Sequence, residues 1–246
     1  MRGLIILLVI AGAGFALSGC AGDQTPVQAA EAQAANDPFE ATNRQIFDLD
    51  QKFDHTILKP TAEAYNDVLP EPARDGIHNF LSNLNLPVVF ANDMLQGDFD
   101  QASKTFGRFG LNTTFGVGGI FDWATDADLP YHENDFGLTL AAYGVDEGPY
   151  LVVPLLGPDS PRDVTGQVAD VFMDPLTYVK YRSDFWWGAG RYTLNIIDLR
   201  ARNIDSLEGL ERSSVDLYAS VRSLYRQHRH AQEHGGKPDV QNLPDL

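Results

Sequence analysis

The chain has 246 residues, 43% of them hydrophobic, a single cysteine and a formal net charge of -16. That length suffices for one large domain or two small ones with a real core, and one domain is expected. A lone cysteine excludes an internal disulfide, and the acidic balance excludes charge-driven binding to nucleic acid or to anionic headgroups. The charge is uneven, with 21 acidic against 7 basic residues over 1–150 and 13 against 11 over 151–246.

The N-terminus carries Arg2, an apolar run from Leu4 to Ala16, and then Leu17-Ser18-Gly19-Cys20. A charged start, a short apolar stretch and small residues before the cut describe a secretory signal peptide, and Leu-Ser-Gly-Cys resembles the bacterial lipobox. Residues 1–19 are therefore expected to be removed and Cys20 to carry the lipid anchor. Each buried methylene contributes about 0.8 kcal/mol, so three acyl chains hold such a protein on a bilayer. Ala21 is not the aspartate that signals inner-membrane retention, so the periplasmic leaflet of the outer membrane is the expected address. Residues 20–35 are poor in large apolar groups and read as a flexible tether spanning about 20 Å. Residues 36–234 read as the folded domain, and 235–246, beyond Gly235-Gly236, as a disordered tail.

Helical signals follow in order, punctuated by proline. Asp37-Pro38-Phe39-Glu40 supplies an N-cap acid and a first-turn proline, with Phe39, Ile46, Leu49 and Phe53 on one stripe of a helix ending before Pro60. Pro72 opens a second helix through Ile77, Phe80, Leu81 and Leu84, and Pro87 a third through Val88, Ala91 and Leu95. Phe99, Ala102, Phe106 and Phe109 form an aromatic stripe in the next. Leu111 to Phe121 is apolar and rich in glycine, too short to span a bilayer, and is either buried in the protein or faces a passage. Tyr150 to Val153, closed by Pro154, is the one β-like run and an edge at most. Ser160-Pro161-Arg162-Asp163 caps a helix through Val164, Val168 and Val171; another runs from Phe185 to Leu199 with Trp186 and Trp187 at its head. Leu207, Leu210, Ser214, Leu217, Val221, Leu224 and His228 give one continuous seam for the last. The fold class is mainly α with at most minor β.

Catalytic motifs are wanting. Asp135-Phe136-Gly137 stands without a nucleotide loop or a catalytic-loop triplet, Gly116-Val117-Gly118-Gly119 lacks the Gly-Lys-Ser/Thr of a phosphate loop, and no Gly-x-Ser-x-Gly elbow exists. His228, His230 and His234 cluster, but no further ligand is evident for a metal. No cofactor and no metal are expected.

The ordered set Asn36-Asp37-Pro38-Phe39-Glu40, Asn43-Arg44 with Phe47, Asn79 to Leu84, Leu95-Gln96-Gly97, Arg108-Phe109 with Asn112-Thr113-Thr114, Gly118 to Asp122, Asp135-Phe136-Gly137, Gly148 to Leu151 and Pro154 to Pro158 with Arg162-Asp163 resembles the motifs of the MlaA/VacJ family of outer-membrane lipoproteins. The resemblance implies a ring-like bundle of amphipathic helices with a central channel, sunk in the inner leaflet of the outer membrane. It implies removal of mislocalised phospholipid from the outer leaflet, delivery to a periplasmic lipid-binding carrier protein, association with a trimeric porin, and no covalent chemistry. Asn43, Arg44, Asn112, Thr113 and Thr114 are the candidates for a polar lining, and Gly116, Gly118 and Gly119 for close backbone bends at the passage. Phe47, Phe106 and Phe109 are candidate lipid contacts, and Phe39, Ile46, Trp186 and Trp187 candidate lipid-facing or interfacial surface. The chain departs from the family pattern at Asp48 to Asp54, which is more charged. A structural adaptor that tethers a porin and a surface phospholipase are the competing functional classes.

Overall fold

A computed structural model describes residues 36–179 and 184–235. Cys20, the signal peptide, the tether, the tail beyond Gly235 and the side chains of Trp186 and Trp187 lie outside the described residues. The described chain is mainly α, and its only sheet is a two-stranded antiparallel hairpin.

The first helix, α1 (Glu40–Phe53), does not stop at Pro60. It passes through a π turn (Asp54–Leu58) directly into α2 (Lys59–Val68). The wider turn lets the Lys59 N–H reach the Asp54 carbonyl, so Pro60 falls in a first turn, where a missing N–H is tolerated. Asp37 does not cap α1 with its side chain; its carbonyl accepts the Glu40 N–H and its carboxylate is fully buried elsewhere.

Pro72 does open a helix, but Pro87 does not open another. Both belong to α3 (Glu71–Gln96), 26 residues long. An interior proline costs a helix about 3 kcal/mol, and α3 absorbs it because Leu81, Leu86, Val88 and Val89 are buried on both sides of the break against α4 (Phe99–Thr114) and the helices beyond. A short α5 (Trp123–Asp126) and α6 (Phe136–Ala142) follow, capped by Asp122 and Asp135.

β1 (Leu151–Val153) pairs with β2 (Gly157–Asp159), Val152 opposite Pro158. The second strand was hidden because Gly-Pro-Asp reads as a turn. Ser160 accepts the Asp163 N–H and starts α7 (Pro161–Met173), as its sequence predicts. A 3-10 turn (Pro175–Tyr178) and α8 (Asp184–Arg202) come next, and α8 packs on α2. The expected single seam from Leu207 is two helices, α9 (Ile204–Ser213) and α10 (Leu217–Glu233). Asp216 breaks it: in an extended conformation it caps the Ala219 N–H at 3.1 Å and holds Arg44 at 2.7 Å.

Candidate functional site

Three amphipathic helices, α1, α4 and α7, bury faces that carry polar residues and leave large apolar side chains outside. In α1 the buried residues are Asn43 and Phe47, while Leu49 and Phe53, with Phe39 at the N-cap, point outward. In α4, Ala102, Thr105, Arg108 and Asn112 are buried, and Phe99 and Phe106 are each 65% exposed. In α7, Arg162, Asp163 and Gly166 face in and Val171 and Phe172 face out. A water-soluble protein does the reverse. Among the described residues, large exposed hydrophobic side chains outnumber the buried ones, and no helix is long and apolar enough to cross a membrane.

Charged clamps stand beside a small apolar core around Phe47, Tyr150, Val152 and Tyr218. Asp37 accepts from Asn43 Nδ2 at 2.8 Å, from the Tyr218 hydroxyl at 2.5 Å and from Arg222 Nη1 at 2.7 Å. Arg229 spans Asp135 at 2.7 Å and Asp163 at 2.9 Å, and Asp163 also holds Arg162 and Tyr225. Arg108 donates to Asp122 and to the Leu129 carbonyl, both at 2.6 Å. Burial pushes the Asp122 carboxyl up, but hydrogen bonds from Thr125, Asn112 and Arg108 outweigh it and hold the group at about 2. Burial without a cationic partner at contact pushes Asp159 and Asp170 up to about 6.

The glycine-rich segment after α4 is a tight turn seated on α3. Gly118 N–H donates to the Thr113 carbonyl at 3.0 Å, and Asn83 Nδ2 donates to Thr113 Oγ1 at 3.0 Å and to the Gly118 carbonyl at 3.1 Å. Gly118 and Gly119 have φ of 74° and 101°. A Cβ at Gly119 would collide with the Asn83 side chain, and one at Gly116 with the carbonyls of Asn112 and Phe121. The backbone is thus drawn in while Phe115, Val117, Phe121 and Trp123 are each more than half exposed.

The candidate residues do not form one site. Asn43 is buried and spent on the fold: besides Asp37 it donates to the Tyr150 carbonyl and accepts the Val152 N–H at 3.0 Å, tying β1 to α1. Phe47 is not on the surface; it packs in the core with Tyr150, Val152 and Tyr218. Asn112 is buried too, donating to Asp122 and accepting the Ala124 N–H, both at 2.9 Å. These three hold the structure together, because their polar atoms or ring already have partners inside it. Arg44 is partly exposed, paired with Glu40 and Asp216, stacked on Tyr218, and opens onto a groove of about 650 Å³ with Asp48, Lys52, His55 and Glu211. Thr113 and Thr114 are exposed beside Gly116, Gly118 and Gly119. Phe106 is exposed and Phe109 half-buried; Ile46 packs partly against the Phe47 cluster. His230 and His234 stack with ring centroids 4.3 Å apart, and among the described residues no group of three or more His, Cys, Asp or Glu could hold a metal ion.

A model of the MlaA lipoprotein family matches residues 35–232. The chain belongs to that family. It is 37% identical over 233 residues to the Intermembrane phospholipid transport system lipoprotein MlaA of Escherichia coli (strain K12), covering 93% of this chain and 89% of that one. The protein of the same name from Haemophilus influenzae is 33% identical over 241 residues, 94% and 92% of the two chains. A solved structure described as "Structural basis for maintenance of bacterial outer membrane lipid asymmetry" is similar with a TM-score of 0.71 and 41% identity, over 78% of this chain and 96% of that one.

Within this MlaA-family chain several residues have structural work that sequence reasoning missed: Asn83 under the glycine turn, Arg222 on the buried Asp37 carboxylate, which was expected to cap α1 instead, and the Asp135–Arg229–Asp163 bridge. A signal for them existed. Asn83, Asn92 and Asp93 fall at buried helical spacing among Leu81, Leu86 and Val89, where a soluble helix would carry apolar residues.

Proposed function

We propose that this chain is an outer-membrane lipoprotein that removes phospholipid misplaced in the outer leaflet and passes it to a periplasmic lipid carrier, maintaining the lipid asymmetry of that membrane. The observation that carries the reading is the inverted burial in α1, α4 and α7: large apolar side chains lie on their outer faces while ionic and amide groups are turned inward. Exposed apolar surface on this scale marks contact with lipid or a partner, and the names of the curated relatives supply the process.

The body is read as a ring of helices with a polar bore, held by acylated Cys20 and its tether in the periplasmic leaflet. An unpaired lipid headgroup in hydrocarbon costs several kcal/mol. A short polar path through a protein sunk in one leaflet removes that cost, while the acyl tails exchange one apolar medium for another. Thr113, Thr114 and Arg44 are the lining candidates that remain open to solvent. No bond in the lipid is made or broken, and a trimeric porin is the expected neighbour.

The test is reconstitution of the full lipidated chain with porin in vesicles carrying labelled phospholipid, with a lipid-carrier protein as acceptor. Intact phospholipid on the carrier is the expected product. No transfer would leave an adaptor that merely tethers the porin, and lysophospholipid with fatty acid would make it a phospholipase.

A further inference from the structure

α8, α9 and α10 enclose an open groove of about 670 Å³, lined by Leu199, Leu207, Leu210 and Leu224 with Asn203 and two serines. Its volume falls in the range of small-molecule sites, and its lining has their character, mostly apolar with a few polar groups. Leu199, Leu207 and Leu224 are each more than 40% exposed there.

Arg200 forms part of the same wall although it is only 9% exposed. Its Nε and Nη2 grip the Asp54 carboxylate at 2.7 and 2.8 Å. Its Nη1 is buried and has no hydrogen-bond partner in the protein. A buried donor left unmade costs about 1–3 kcal/mol, so a ligand that displaces the side chains covering it and accepts from it is favoured. Asp54 already balances the guanidinium, and Glu63 and Glu208 add negative charge around it. A second anion would be repelled, whereas a neutral carbonyl oxygen would not.

We infer that this groove binds one acyl chain of a glycerophospholipid, with the chain along Leu199, Leu207, Leu210 and Leu224 and its ester carbonyl accepting from Arg200 Nη1. The inference rests on the phospholipid-transport reading above and gives that cargo a holding site, formed by the segment where the predicted single seam breaks into α9 and α10. The ester supplies the uncharged acceptor, and the tail covers leucines that the protein leaves open.

The experiment places a photoreactive benzoylphenylalanine in place of Ser206, a groove residue exposed on α9, in the full lipidated chain reconstituted in phospholipid vesicles. Mass spectrometry of the irradiated protein identifies the occupant. A phospholipid adduct that falls about tenfold when Leu210→Gln is added, with the melting transition unchanged, is the expected result; that loss corresponds to about 1.4 kcal/mol of binding. An adduct to a second copy of the chain, to its own residues 236–246 or to another protein would overturn the assignment, as would a lipid adduct indifferent to Leu210→Gln. Transfer to the carrier is measured on the same vesicles: transfer without a groove adduct sinks the groove alone, and loss of transfer in the unsubstituted chain sinks the transport reading.

Discussion

Tyr218 donates its hydroxyl to Asp37 at 2.5 Å, joining two residues 181 positions apart and closing the last helix onto the start of the domain. The same carboxylate holds Arg222 and Asn43, and the ring of Tyr218 meets Phe47 and Tyr150 edge to face. Ionic and aromatic contacts therefore share one joint.

Removing one partner of that joint strands the others in a buried setting. Asp37→Ala leaves the Arg222 charge without its buried counterpart and is expected to lower stability by about 3–5 kcal/mol. Tyr218→Phe keeps the ring stack and loses the hydroxyl, with an expected loss of about 1–3 kcal/mol. Denaturant titration of the two single variants and the double variant checks both values, and the double variant should lose less than the sum.

The glycine turn makes a graded prediction. Gly118→Ala meets no atom and carries only the left-handed backbone penalty of about 1–2 kcal/mol. Gly119→Ala carries that penalty and also drives a methyl into Asn83, so it should destabilise the protein by more. Melting temperatures of the two variants decide the order, and equal losses would count against the close packing of this turn on α3.

Stability should depend on acidity in two opposed ways. Asp159 and Asp170 titrate near 6 in the folded protein against an ordinary 3.8, so the fold binds their protons more tightly than the unfolded chain. Stability from these two rises as pH falls from about 6 towards 4. Asp122, at about 2, has the opposite sign: its contribution is present above 3.8 and is lost as pH falls towards 2. Asp170→Asn should flatten the slope between about pH 4 and 6, read from unfolding free energies across that range. An unchanged slope would contradict the assignment.

Much of this architecture was legible in periodicity. The expected stripes hold in part: Phe39, Leu49 and Phe53 face out at α1 while Ile46 packs against the Phe47 cluster, and Phe99 and Phe106 face out on α4 while Ala102 is buried and Phe109 half-buried; the Ser160 and Pro72 helix starts stand where capping rules put them. Which way a stripe faces was not legible, because period alone cannot distinguish a stripe that packs inward from one that faces lipid. Pro60 and Pro87 misled for a related reason: breaking signals are local, while a π turn and burial on both sides are supplied by the whole fold. Asn43 and Asn112 read as lining residues because they are polar; their partners, the backbones of residues 150 and 152 and of Ala124, are distant in sequence or hidden in a cap.

The proposed function requires that α1, α4 and α7 turn their apolar faces to lipid and their ionic faces inward. Spin labels tested one at a time at positions 99, 106, 121 and 172, in the vesicle-bound full chain with the unsubstituted chain as the control for labelling at Cys20, measure this directly by comparing relaxation by oxygen, which concentrates in the bilayer, with relaxation by a water-soluble nickel chelate. Oxygen is expected to dominate at all four positions. Dominance of the nickel chelate there would show that these aromatic faces lie in water, and would contradict the proposed function.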